Sequence, residues 1–121
     1  MDERKLKLKQ RTKEFAGSVI RLYCALPLRR TEAAVVGKQM LRSGTSVAAN
    51  YREASRARSN EEFVGKIGVC SQEADETQLW QELLRDDCKI ESAEIDRVWR
   101  EADELISIFV TMARNTKRNS Q

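Results

Sequence analysis

The chain has 121 residues, of which 34% are charged and 40% are hydrophobic, and its formal net charge is +3 at pH 7. This length suits one domain with a single core, and the small numbers of glycine (5) and proline (1) are typical of a helical protein. The absence of histidine removes the commonest metal ligand and general base, and no apolar run is long enough to span a membrane or resembles a secretory signal.

The first two predicted helices carry apolar residues at helical spacing. The first covers about residues 2–26 and ends before Pro27, because the residue preceding a proline is disfavoured in the helical conformation. Its stripe is Leu8, Thr12, Phe15, Val19, Leu22 and Leu26. The second covers about residues 31–56, with Thr31 as its expected cap. Its stripe contains two polar residues: Val36, Met40, Ser43, Val47, Asn50 and Ala54.

Two further helices follow. Ser59 and Glu62 form a capping box that opens a third helix, about residues 60–86. One face of this helix carries Phe63, Ile67, Cys70, Ala74, Thr77 and Leu84. After a short turn, Ser92 is the expected cap of a fourth helix, about residues 92–115, with the stripe Ile95, Val98, Ala102, Leu105, Phe109 and Met112. Residues 116–121 are predicted to form a disordered tail.

These four stripes and their short connections predict an all-α fold. We expect one domain, residues 1–121, that forms an antiparallel up-down-up-down four-helix bundle. A long helical hairpin that completes its core by dimerisation is the alternative, but four separate stripes favour the bundle.

A run of small and polar residues interrupts the second helix at Ser43, Gly44, Thr45 and Ser46, where helix propensity disfavours them. A phosphate-binding loop is excluded, because no strand precedes the run and the G-x-x-x-x-G-K pattern is absent. Close approach of a neighbouring helix explains these residues better.

Four motifs in the second and third helices carry a resemblance to a known family: LRSGTSVAAN (41–50), REA (52–54), SNEEF (59–63) and EADETQLWQELL (73–84). The chain resembles the bacterial four helix bundle protein family, whose founding members are encoded in intervening sequences of large-subunit ribosomal RNA genes. The resemblance spans about residues 7–114. It implies a homopentameric ring and, for one branch, nucleic-acid binding as an accessory to the reverse transcriptase of diversity-generating retroelements. It implies no enzymatic activity and no cofactor.

Charge is unevenly distributed along the chain. Residues 1–58 contain 14 Lys/Arg and 5 Asp/Glu, whereas residues 59–121 contain 8 and 14. Six of the positive residues lie within ten positions of the first helix: Arg4, Lys5, Lys7, Lys9, Arg11 and Lys13. This cluster is a candidate site for the phosphates of RNA or DNA. Structured or duplex nucleic acid is favoured, because few aromatic residues are near for stacking on unpaired bases. The alternative is a solvated face, or one that pairs with the acidic third helix of another subunit.

A second basic set, Arg52, Arg56 and Arg58, ends the second helix, where cations are also favoured by the helix dipole. These arginines therefore have either a structural role at the helix end or a role in binding a ligand.

Polar residues of the second and third helices form a candidate network of Asn50, Glu53, Glu73 and Glu76, bridged by Arg42 or Arg52. Such a network would fix helix register or subunit packing, and simple exposure is the alternative. A di-iron centre is excluded, because bundles build it with Glu-x-x-His pairs and this chain has no histidine. No metal site is therefore expected.

Enzymatic function is not expected, because no set of nucleophile, base and orienting group can be assembled. Three widely spaced cysteines, Cys24, Cys70 and Cys88, indicate reduced thiols in the cytoplasm. Two hypotheses remain. The first is an oligomeric accessory protein that binds nucleic acid through its first helix, and the second is a scaffold that binds a protein partner.

Overall fold

The computed structural model describes residues 2–119 and contains four α-helices in that range. They are α1 (Glu3–Cys24), α2 (Thr31–Ser55), α3 (Asn60–Asp86) and α4 (Ala93–Asn119). Each helix packs against two others in the cyclic order α1, α2, α3, α4. The predicted all-α four-helix bundle is confirmed. Within residues 2–119, no helix combines the length and the apolar character needed to cross a membrane.

Contacts between helices show that neighbours run antiparallel. Tyr51, near the end of α2, donates a hydrogen bond to the carbonyl oxygen of Lys5 at the start of α1. The Lys66 ammonium near the start of α3 lies 3.4 Å from a carboxylate oxygen of Glu53 near the end of α2. In α4 the early residue Trp99 accepts, through its carbonyl, a hydrogen bond from Gln78 in the second half of α3.

Two helix ends differ from the sequence predictions, and the cap of α3 agrees with its prediction. The α1 helix ends at Cys24, two residues before the predicted end. Thr31 is the first residue of α2, and the cap position is taken by Arg30, which makes no capping hydrogen bond through its side chain. Ser59 caps α3 as predicted, since its hydroxyl accepts a hydrogen bond of 3.0 Å from the backbone N–H of Glu62.

The predicted disordered tail is the third difference. The α4 helix continues to Asn119, so residues 116–119 are helical. The Thr116 hydroxyl donates to the Met112 carbonyl, and Lys117 and Arg118 lie in the last turn, where positive charge favours the helix dipole. Residues 120 and 121 lie outside the described part of the chain.

The core contains the predicted stripes of α1 and α3, and those of α2 and α4 with exceptions. Met112, Val36 and Asn50 are only partly buried. In compensation, α2 buries Ala33, Gly37, Gly44 and Tyr51 as well. The buried arc of α2 is wide because this helix packs against α1 on one side and α3 on the other.

Two glycines of α2 allow close packing against α1 and the turn that follows it. A Cβ atom added at Gly44 would lie 2.7 Å from Cγ1 of Val19, and one at Gly37 would lie 2.8 Å from Cδ1 of Leu26. Side chains cannot approach so closely without displacing a neighbour. The hypothesis of close helix approach is therefore confirmed at Gly44. The adjacent Ser43 faces α3 instead, where its hydroxyl lies 2.8 Å from that of Thr77.

One buried amide has no partner. Gln81 of α3 is 0% exposed, and within the described residues neither polar atom of its side chain has a hydrogen-bond partner. Its neighbour Gln78 is also buried, but the amide of Gln78 donates to the Trp99 carbonyl and to Asp103. A buried polar group without a partner costs about 1–3 kcal/mol.

We therefore expect Gln81→Met, which has a similar volume and no amide, to raise the free energy of unfolding by about 1–2 kcal/mol. Urea denaturation monitored by circular dichroism measures this change. The matched control is Gln78→Met, which should destabilise the protein because it leaves the Trp99 carbonyl without this donor. A loss of stability in Gln81→Met would contradict the assignment.

Candidate nucleic-acid interface

Antiparallel packing brings three chain segments to one end of the bundle, which we call the basic end. It comprises residues 2–13 of α1, residues 52–62 around the α2–α3 turn, and residues 106–119 of α4. The sequence from Ile106 onward contains no Asp or Glu. The basic residues of these segments are Arg4, Lys5, Lys7, Lys9, Arg11, Lys13, Arg52, Arg56, Arg58, Arg114, Lys117 and Arg118, and the acidic ones are Asp2, Glu3, Glu53, Glu61 and Glu62.

Three of the six candidate residues of α1 are free to meet a ligand. Arg4, Lys7 and Lys13 are exposed. Lys7 makes one ion pair, at 3.3 Å to Glu3 one turn earlier, and both side chains of that pair are largely in solvent. Such exposed pairs are weak, so Lys7 can readily exchange the Glu3 carboxylate for another anion.

Two other candidates, Lys5 and Lys9, are less exposed. The ammonium of Lys5 lies 5.0 Å from the centre of the Phe63 ring, a cation–π contact between α1 and α3. Lys5 and Lys9 are both half-buried. Lys5 therefore contributes positive potential at the basic end, but its side chain is less free to move than those of Arg4 and Lys13.

Arg11 links α1 to α4. Its Nε and Nη2 donate to the two carboxylate oxygens of Glu101 at 2.8 and 2.7 Å, and Nη2 also reaches Glu104 at 3.2 Å. The hydrogen bond with Glu101 is the main cause that raises the pKa of Arg11. Among the adjacent helix pairs, α1 and α4 share the fewest contacts, so this bidentate pair strengthens the least extensive interface. We therefore assign Arg11 a structural role first.

The second basic set lies at the end of α2, as predicted. Arg52, Arg56 and Arg58 are exposed. The side chain of Arg58 is 92% exposed, and its nearest carboxylate oxygen, on Glu62, is 4.0 Å away. These residues extend the positive surface from α1 around the α2–α3 turn.

A groove lies between α1 and α4 at the basic end, and its volume is about 740 Å³. We call it the α1–α4 groove. Its α1 wall is basic, with Arg4, Lys5, Lys7 and Arg11, whereas its α4 wall is neutral and polar, with Ser107, Thr111, Asn115 and Asn119. The floor consists of Leu8, Ala54, Ala57, Phe63, Ile108 and Met112.

The predicted polar network is not assembled as expected. Arg42 bridges Glu73 and Glu76 at 3.2 and 3.0 Å, but Glu53 pairs separately with Lys66. The amide of Asn50 donates to the Ser46 carbonyl within its own helix. The four residues therefore divide into separate contacts, and buried polar contacts between these helices are made by Ser43 with Thr77 and by the Cys70 thiol with the Val47 carbonyl.

The acidic residues and thiols of residues 2–119 form no metal site, and one of the thiols is deeply buried. No group of three or more His, Cys, Asp or Glu residues is placed to hold a metal ion in this range. Cys70 is completely buried, and burial raises its pKa to about 12, so it remains a neutral thiol under ordinary conditions.

A model described as the 23S rRNA-intervening sequence protein family matches residues 4–111, which is most of the chain. The chain belongs to this family. A crystal structure of a protein of unknown function from the S23 ribosomal protein family of Bacteroides thetaiotaomicron VPI-5482 is similar to it, with 32% identity and a TM-score of 0.78. The match covers 87% of this chain and 96% of that one. No curated protein matches the chain at a significant level.

Membership of the 23S rRNA-intervening sequence protein family confirms the resemblance found in the motifs, and the similar crystal structure supports the bundle. Neither description names an activity or a ligand.

Sequence reasoning did not assign the end of α4 to the basic surface. Arg114, Lys117 and Arg118 are about 100 positions from the first helix, within a half of the chain that is acidic overall. The signal was the absence of Asp and Glu after residue 105. Combined with the up-down-up-down order, that local bias would have placed these residues beside α1.

Alkaline pH tests the burial of two weakly acidic groups. Burial raises the pKa of Cys70 from 9.0 to about 12 and is the main cause that raises that of Tyr51 from 10.0 to about 12. As pH rises, the unfolded chain therefore loses these protons before the folded chain does. The two protonated groups stabilise the fold fully below pH 9, and their contribution to the free energy of unfolding is lost as pH rises towards 12.

We expect the free energy of unfolding to fall between pH 9 and 12, as measured by urea denaturation at a series of pH values. The decline should be smaller in Cys70→Ala than in Cys24→Ala, since Cys24 is exposed. Identical declines in the two variants would show that the Cys70 thiol does not contribute.

Proposed function

We propose that this protein is a non-enzymatic accessory factor that binds structured RNA or duplex DNA through its basic end. The observation that carries the proposal is the convergence of α1, the α2–α3 turn and the end of α4 into one positive surface. Within residues 2–119, the exposed side chains of Arg4, Lys13, Arg56 and Lys117 form no ion pair. Free cations of this kind displace counterions from phosphates and so favour binding.

The aromatic residues in and next to the basic end argue against recognition of unpaired bases. Tyr51, Phe63 and Phe109 are all buried, and the rings of Tyr51 and Phe109 stack on each other at 6.2 Å between centroids. Proteins that bind single strands usually offer exposed aromatic rings to the bases. Contacts to phosphates of a helical nucleic acid require only the cations, and they position the ligand without reading its sequence.

Assembly would strengthen this function. We infer a homo-oligomer, a pentamer by the family resemblance, in which each subunit presents its own basic end. Several weak phosphate sites on one particle bind a long nucleic acid with a combined affinity far above that of one site. A reverse transcriptase is the protein partner that the resemblance suggests. A cytoplasmic location suits the three free cysteines.

Fluorescence anisotropy with a labelled RNA hairpin and a labelled DNA duplex tests the proposal. We expect saturable binding of both at low salt, and an affinity that falls steeply as the salt concentration approaches the physiological range. An unstructured oligonucleotide of the same length is the control, and it should bind more weakly. Absence of binding at low salt would overturn the proposal.

A further inference from the structure

The α1–α4 groove has a property that phosphate binding does not require, which is an apolar floor. Ile108 and Met112 of α4 are half-buried and lie beside the buried Leu8 and Phe63. A nucleic-acid backbone would contact the charged rim and would gain nothing from these side chains. An apolar floor instead favours a ligand that buries hydrophobic groups of its own.

The charged residues of the groove lie on or beside α1 and in the α2–α3 turn, and most of them are positive. The lining residues include five cations, namely Arg4, Lys5, Lys7, Arg11 and Arg58, and one carboxylate, that of Asp2. The Asp2 carboxylate already accepts a hydrogen bond of 3.0 Å from the Lys5 backbone as the cap of α1. The α4 wall carries only hydroxyl and amide groups. A complementary ligand is therefore acidic on the side that faces α1.

The shape of the groove suits an elongated ligand. Its α4 wall extends from Ser107 to Asn119, which is about 18 Å at the helical rise of 1.5 Å per residue. This length corresponds to about three turns of a helix lying alongside. The groove is partly open to solvent, so a peptide segment can enter it from the side.

We propose that the α1–α4 groove binds an acidic amphipathic helix of a partner protein. Apolar residues of that helix, three or four positions apart, contact Ile108 and Met112, while its carboxylates face Arg4, Lys7 and Arg58. Recognition of this kind combines a hydrophobic stripe with flanking charge. The inference goes beyond the proposed function, because it depends on the apolar floor and on a protein ligand.

A fluorescein-labelled synthetic peptide of about 15 residues, with leucines at helical spacing and glutamates elsewhere, is a direct probe. We expect saturable binding that is at least tenfold weakened by Met112→Gln, which removes part of the floor without changing charge. The control Val110→Gln alters an apolar residue of α4 that is 44% exposed and lies outside the groove, and it should bind as the wild type does. A peptide of the same composition in scrambled order should bind at least tenfold more weakly.

A second variant tests the groove independently, in case Met112→Gln does not fold. Thr111→Glu changes an exposed residue of the α4 wall, and its new carboxylate should repel the peptide and also weaken binding by at least tenfold. Equal binding of the ordered and scrambled peptides would overturn the proposal, as would wild-type affinity in both variants or no saturable binding. The RNA hairpin should bind Met112→Gln and the wild type equally, so loss of peptide binding and loss of nucleic-acid binding are separate results.

Discussion

Replacement of Gly44 by alanine is expected to lower the free energy of unfolding by up to about 2 kcal/mol. The added methyl group would lie 2.7 and 2.8 Å from the two Cγ atoms of Val19. Val19 is itself completely buried and β-branched, so it has little freedom to move away. Overpacking of this kind costs about 1–3 kcal/mol, and the higher helix propensity of alanine returns only about 1 kcal/mol.

The matched control is Gly68→Ala in α3, where no atom lies within 4 Å of the added Cβ. This change should raise the free energy of unfolding by about 0.5–1 kcal/mol, because alanine favours the helix and meets no obstacle. Urea denaturation of both variants gives the comparison. Equal stabilisation by the two alanines would show that α1 and α2 do not pack as closely at Gly44 as described.

Reversal of charge at the basic end is expected to reduce affinity for an RNA hairpin by about 100-fold or more at low salt, because at least three phosphate contacts are lost. The variant combines Arg4→Glu, Lys13→Glu and Lys117→Glu, which lie on α1 and α4 and are all exposed. The substitutions avoid Arg11 and Lys5, whose contacts with Glu101 and Phe63 hold helices together. Helicity and melting temperature should therefore remain close to those of the wild type.

The control for this variant has the same change in net charge at the opposite end of the bundle. It combines Arg29→Glu, Lys38→Glu and Lys89→Glu, which are exposed residues in or near the loops away from the basic end. Its affinity should fall only a few-fold, through the general change in protein charge. An equal loss in both triple variants would show that binding depends on net charge and that the basic end is not a site.

Helix positions and most core residues could be predicted because they follow from local periodicity. Phe15 and Val19, or Leu105 and Phe109, repeat at the spacing of one helix face, and this pattern needs no knowledge of the partner helix. Gln81 was missed although it lies four residues after Thr77 and three before Leu84, on the same face. Because glutamine is polar, it was not assigned to the core, although its spacing indicated a buried position.

Contacts between helices could not be predicted, because they depend on the register of one helix against another. The sequence shows that Asn50 and Glu53 lie on α2 and Glu73 on α3, but not that Glu53 is level with Lys66. Likewise, Arg11 is one of six similar cations in the sequence, and only the fold places it beside Glu101. The structure therefore differs most from the sequence prediction at charged side chains that have several possible partners.

The salt dependence of hairpin affinity tests the central claim most directly. We would measure the dissociation constant of the wild type and of the basic-end triple variant at several salt concentrations, and compare the slopes of log affinity against log salt concentration. We expect a steep slope for the wild type and a slope that is shallower by about three in the variant, because each lost phosphate contact removes about one counterion. The same slope in both proteins would contradict binding at the basic end.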